Sequence, residues 1–180
     1  METISWGLLT QLGEDVVTGF YRALTQSRVA FCFVAEEDGA PQGFVAGICD
    51  WSPVFWQVVR YTWWPLILAF PSLIVSGRLR RLLETGRYTK SKQEGVNAEF
   101  LSFGVKEEAR GRLWTGTALI HAAMNEFRRR GVLKVRGVVW EQNERALRFF
   151  EAVGFKFVSD IEIHPGERSR TVLVDLAPKT

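Results

Sequence analysis

Histidine and cysteine are scarce in this chain. Its two histidines, His121 and His164, stand alone, and no Cys/His cluster has metal-ligand spacing, so no metal site is expected. Both histidines read as structural or surface residues. The two cysteines, Cys32 and Cys49, fall on two expected strands joined by a short turn, an arrangement that would let them face each other. No secretory signal is read ahead of them, so a cytoplasmic location with free thiols is expected rather than a disulfide.

An excess of one charge is also missing. The net charge is +3 and the pI about 9.1, and no basic run is interleaved with aromatics as a single-strand platform requires. No nucleic-acid partner is expected. Arg128, Arg129 and Arg130 close an expected helix, where cations complement the dipole. Long uncharged runs are few. One of 17 residues spans 61–77 (YTWWPLILAFPSLIVSG). It is shorter than the roughly 20 residues that cross a bilayer, and Pro65 and Pro71 interrupt it. Arg60 on one side and Arg78, Arg80 and Arg81 on the other resemble interfacial anchors. Three readings stay open: short helices packed on the domain as an insertion or substrate lid, a homodimer or membrane-surface contact through residues 51–77, and a span, which the length disfavours.

What is present is a core. Hydrophobic residues make up 47% of 180, which excludes a disordered chain and suits a single domain. Leu8, Leu9, Leu12, Val16, Val17, Phe20, Tyr21 and Leu24 are spaced as one helix face. A hairpin is expected next, with strands near 31–36 and 43–48 around Asp38-Gly39-Ala40-Pro41. The helical, aromatic-rich insertion occupies 50–96. A strand over 99–105 leads to a helix over 115–130, with Leu119, Ala122, Ala123 and Phe127 inward and Gly131 as its stop. A strand over 132–140, a helix over 143–153 and strands over 155–163 and 170–176 complete the order. This is an α/β (α+β) domain with one central mixed sheet flanked by helices, and its strand–helix–strand unit should cross over right-handed.

The strand ending at Val105 runs into a basic turn, Glu107-Glu-Ala-Arg110-Gly111-Arg112, that opens a helix through Thr115, Gly116 and Thr117. Backbone N–H groups and the helix dipole converge there, which suits an anion. Residues 105–120 resemble the acetyl-CoA signature of the GNAT acetyltransferases. The segment Asn143-x-x-Ala146-x-x-Phe149-Phe150-Glu151-x-x-Gly154-Phe155 is similar to the block that follows that family's fifth strand. The likeness covers 97–176 well and 31–48 loosely. It implies a GNAT-like fold and direct acetyl transfer from acetyl-CoA, as co-substrate, to a primary amine.

Residue by residue, the resemblance implies pantetheine pairing with the backbone of Phe103, Gly104 and Val105. It implies pyrophosphate contacts from N–H groups of Arg110, Gly111, Arg112, Thr115, Gly116 and Thr117, and cofactor contacts from Asn143 and Phe149. The turn carries one residue more than the family pattern, Trp114 or Thr115. The family's opening strand is hard to find ahead of the first helix. Where the family often has a tyrosine to protonate the departing thiolate, this chain has Phe150, which has no proton to give. An ammonium must lose a proton before it attacks, and Glu99, read as in phase with Leu101 and Phe103, is the candidate base. Asp50 and Glu94 are lesser ones, and Ser102, Trp140 and Glu141 are further candidates for the site wall. The acceptor is expected to be an amino sugar, a peptide amine or a lipid-linked amine. The rival readings are a non-catalytic acyl-CoA-binding module and a peripheral membrane protein with an acetyltransferase-like core.

Overall fold

The computed structural model describes residues 14–61, 96–109, 113–164 and 167–177. Helix α1 (Glu14–Gln26) is followed by strands β1 (Ala30–Glu37) and β2 (Ala40–Ile48). Residues 51–61 form helix α2. Strand β3 (Ala98–Val105) leads through a short 3-10 turn at Glu107–Ala109 to helix α3 (Leu113–Arg129) and strand β4 (Lys134–Trp140). Helix α4 (Glu144–Ala152) and strands β5 (Lys156–His164) and β6 (Glu167–Asp175) complete the order. The six strands form one mixed sheet in the order β1-β2-β3-β4-β6-β5. Whether an opening strand is lacking falls on residues 1–13, outside the described residues, as do Glu94, Pro65, Pro71 and the rest of 62–95.

The hairpin turn is tighter than its sequence suggests. Asp38 (φ 51°) and Gly39 (φ 74°) both take positive φ, and Glu37 pairs with Ala40. Two residues in that conformation match the twist of the flanking strands, so Ala40 and Pro41 join β2. Likewise β5 runs through His164, one residue past the strand expected over 155–163.

One face of the sheet packs on α3. Leu119, Ile120, Ala123, Met124 and Phe127 are buried, whereas Ala122, expected inward, is exposed, because the stripe follows the 100° step. Aromatic rings fill the space between. Phe127 meets Phe31 at 4.8 Å and Phe100 at 5.2 Å, and Phe100 meets Phe155 at 5.4 Å. Gly47 makes room for them, since a Cβ there would lie 2.5 Å from the Phe31 ring and 2.7 Å from that of Phe127. Arg130 ties the end of α3 to β1 by donating to the carbonyls of Arg28 (2.7 Å) and Ala30 (3.2 Å).

The other face packs on α1 and α2 through Phe20, Leu24, Ala30, Ala46, Ile48 and Val54. Beyond Val54, helix α2 presents Phe55, Trp56 and Val59 outward, with Trp56 72% exposed. Among the described residues no helix is long and apolar enough to cross a membrane. Cys32 pairs with Ala46 and packs on the α1 side, while Cys49 packs on the α3 side. The thiols therefore lie on opposite faces, so they cannot pair, and burial raises both pKa values.

Two irregularities of β3 position the site. Gly47 pairs with Phe100 and Ala46 with Ser102, so Leu101 is an extra residue, a β-bulge. It breaks the alternation. Phe100 belongs to the α3 side and Leu101 to the α1 side; Ser102 reaches Tyr21 of α1, and Phe103 returns to the α3 side. Glu99 is thus in phase with Leu101 and out of phase with Phe103. The second irregularity is a fork. The parallel ladder between β3 and β4 covers only Ala98↔Val135, Glu99↔Arg136 and Phe100↔Gly137, while β4 continues beside β6 to Trp140↔Ser169.

Candidate active site

A cavity of about 710 Å³ opens at this fork. The end of β3 supplies one wall through Phe103, Gly104 and Val105, and Ala109 follows in the turn. The first turns of α3 supply Gly116, Thr117 and His121, and α4 supplies Asn143, Arg145, Ala146 and Phe149. Ala152, Val153 and Gly154 close the far side. The N-terminal turns of two helices therefore meet at one hollow, with their backbone dipoles favouring negative charge.

The local sequence explains this convergence. Asn143 caps α4 by accepting from the Ala146 N–H at 3.1 Å, which leaves its amide NH2 to donate. Positions 143, 146, 149 and 153 then recur on one helix face. Phe149 stacks on Phe103 with centroids 5.3 Å apart and planes 4° from parallel. Gly116 of α3 faces the pair, and a Cβ there would lie 3.4 Å from each ring, at van der Waals contact.

Seven expected cofactor-site residues line this cavity: Phe103, Gly104, Val105, Gly116, Thr117, Asn143 and Phe149. Thr115 lies in the first turn of α3 without lining it. Arg110, Gly111 and Arg112 lie outside the described residues. His121 and Arg145 are additions that the sequence reading missed. His121 sits one helical turn past Thr117, so the i, i+4 spacing would have found it. Phe150 turns inward instead. It is 6% exposed, and its ring packs on Phe155 at 5.0 Å, Phe149 at 5.8 Å and Phe103 at 6.0 Å.

Glu99 lies on the α1 face, at the closed end of the fork. Arg136 donates to its Oε2 from Nη2 (2.7 Å) and Nε (3.1 Å), and Trp51 Nε1 donates to the same oxygen at 3.2 Å. Glu99 and Arg136 are 8% and 3% exposed. Next along this face, Tyr21 Oη and Ser102 Oγ share a hydrogen bond of 2.8 Å, and burial raises the Tyr21 pKa. At the far end of β4, Trp140 is followed by Glu141, which accepts from Arg170 at 3.3 Å. Asp50 is taken up capping α2, where it accepts from the Ser52 N–H at 2.9 Å. Among the described residues no cluster of three or more His, Cys, Asp or Glu could hold a metal.

Comparison with known proteins agrees with this geometry. Residues 4–155 match the acetyltransferase (GNAT) family. No curated protein matches the chain. Among solved structures, an aminoglycoside 6'-N-acetyltransferase complexed with coenzyme A aligns with a TM-score of 0.60 at 11% identity, covering 96% of this chain and 91% of that one. The ribosomal-protein-S18-alanine N-acetyltransferase from Escherichia coli aligns at 0.55 with 14% identity, covering 91% and 78%. Ard1 from Thermoplasma volcanium aligns at 0.55 with 20% identity, covering 88% and 76%. At such identities these structures speak for the fold, and the family match extends over most of the sequence. The forked sheet with a glycine-bearing helix start at its opening is that of an acyltransferase, and the chain belongs to the GNAT acetyltransferases.

Proposed function

We propose that the protein is an N-acetyltransferase that moves the acetyl group of acetyl-CoA directly to a primary amine. The observation that carries this reading is the cavity at the fork. It runs from the end of β3 past the starts of α3 and α4, and its volume of about 710 Å³ suits a cofactor-sized ligand. When bound, acetyl-CoA supplies an activated acyl carbon. The residues present fit it. The edge of β3 at Phe103–Val105 offers backbone groups to an extended arm, as to an added strand, and the first turn of α3 at Gly116 and Thr117 offers its dipole and N–H donors to the pyrophosphate. The Asn143 amide donates near the thioester end.

Glu99 is the base in this proposal. Three donors occupy its Oε2, so Oε1 is the oxygen that takes the acceptor's proton through a water. The aminoglycoside and ribosomal-protein enzymes with this fold both modify amines, as their names state, which supports an amine acceptor here. The aromatic insertion over 50–96 suits an apolar or ring-bearing one. Coenzyme A release and product mass, measured with amino sugars, peptide amines and lipid-linked amines, test the proposal. Coenzyme A binding without turnover on any of them would leave a non-catalytic binding module.

The outward face of α2, with Phe55, Trp56 and Val59, favours an added contact through 51–77 with a second copy or a membrane surface. Sedimentation and liposome flotation of the full chain distinguish the two. A monomer that stays off liposomes excludes both.

A further inference from the structure

A thiolate leaving an acyl carbon is best stabilised by taking a proton as it goes, and the two phenylalanines at positions 149 and 150 of α4 have none to give. Phe149 faces the cavity and Phe150 the core. The sulfur of an arm lying along β3 would come to the inner end of the fork, where the ladder to β4 stops at Phe100. Two residues further on is Ser102, which the bulge at Leu101 turns toward α1. Its hydroxyl is joined at 2.8 Å to that of Tyr21. The phenol is fixed from both sides by edge-on rings, Phe20 at 5.5 Å and Phe44 at 6.0 Å. A hydrogen-bonded pair of hydroxyls, half-buried and held by aromatic packing, thus stands on the α1 face two residues past the end of the β3–β4 ladder, with no capping or turn role.

We infer that Ser102 is the proton donor to the leaving sulfur and that Tyr21, acting through Ser102, is the positioning residue that resupplies it. This rests on the acetyl-transfer reading. The amine nitrogen bonds to the acyl carbon, the C–S bond breaks, and its electron pair leaves on sulfur. The Ser102 proton passes to sulfur while the Tyr21 proton passes to the Ser102 oxygen. The proton lost by the nitrogen as it becomes an amide returns to Tyr21 through water, so the cycle closes without an added reactant. Tyr21 stays protonated until its turn, because burial keeps the phenol neutral.

The experiment compares Tyr21→Phe and Ser102→Ala with the wild type, using acetyl-CoA and its selenoester analogue. A selenolate is the weaker base and departs without a proton. With acetyl-CoA, kcat should fall about 10²-fold in each variant, as for loss of a general acid. With the selenoester the loss should shrink to within ~3-fold, because no proton is required. Equal losses on both donors, or no loss on either, would overturn the relay; the first outcome means a structural role. Calorimetry adds a readout independent of turnover. Coenzyme A should bind the wild type roughly 2- to 10-fold more tightly than desulfo-coenzyme A, and Ser102→Ala should erase that ratio. A ratio unchanged in Ser102→Ala removes Ser102 from the sulfur. A wild type inactive with every amine would defeat the acetyl-transfer reading itself, while the desulfo comparison would still decide whether Ser102 meets the sulfur.

Discussion

Replacing Glu99 by Gln separates two roles that the structure combines in one side chain. The substitution keeps size and one carbonyl acceptor but removes the charge facing Arg136, which is 3% exposed. Removing one partner of a buried ion pair costs about 3–5 kcal/mol, because the other charge is left uncompensated. Gln can still accept one bond from the guanidinium or from Trp51 Nε1, which places the expected loss near 3 kcal/mol. At roughly 2–4 °C per kcal/mol for a chain of this size, the melting midpoint should drop by about 6–12 °C. The folded fraction would still dominate at assay temperature, given a typical stability of about 5–15 kcal/mol. Turnover should fall roughly 10²-fold or more if Oε1 takes the proton. The double variant Glu99→Met with Arg136→Met removes both charges. It should recover most of the stability, since apolar replacement of a buried pair is often close to neutral, but none of the turnover. A Glu99→Gln midpoint within about 2 °C of wild type would refute the buried pairing. Full turnover in that variant would dismiss Glu99 as the base.

Other substitutions address the cofactor side and the helix ends. Alanine at both Arg110 and Arg112 should weaken acetyl-CoA binding by about 1–3 kcal/mol in a folded protein, and unchanged calorimetric affinity would remove them from the pyrophosphate site. Gly116→Ala should stabilise the fold by about 0.5–1 kcal/mol in denaturant titration, because alanine favours helix and its Cβ would meet the two rings at van der Waals distance, 3.4 Å. A destabilised variant would mean that the rings cannot tolerate the contact. Hydrogen bonds from Arg129 and then Arg130, outweighing an opposing effect of burial, lower the Glu126 pKa from 4.5 to about 2. A carboxylate shifted down stabilises the fold above its unfolded pKa, so this contribution should be full above about pH 4.5 and disappear as pH falls toward 2. Melting curves of wild type and Glu126→Gln should therefore converge over that window, and a constant gap would contradict the pairing.

Much of this arrangement can be read in the sequence, for identifiable reasons. Period-2 apolar runs place the strands, the 3.6-residue stripe places α3, and Gly131 and Gly154, with φ of 76° and 100°, stop the two late helices where they were expected. The two blocks at 105–120 and 143–155 locate the cavity. The bulge is not legible, because an extra residue in a strand leaves no compositional trace, and it is what moves Phe103 out of phase with Glu99. Arg136 likewise reads as an ordinary exposed strand position until its opposite neighbour is known. Which of two adjacent phenylalanines meets the ligand depends on helix phase counted from the Asn143 cap, and that count selects Phe149.

The short ladder between β3 and β4 bears on how the chain opens. Among the described residues only three residue pairs and the Glu99–Arg136 bridge join β1-β2-β3 to β4-β6-β5 within the sheet, while each half is closed by longer antiparallel ladders. The sheet thus has a seam. The seam is the shortest ladder of the sheet, so the fewest backbone hydrogen bonds resist its opening. Amide hydrogens should accordingly exchange as two cooperative groups divided between Phe100 and Gly137, with the seam opening before either half. The opening that admits an acyl donor would then also be the first line along which the native state yields.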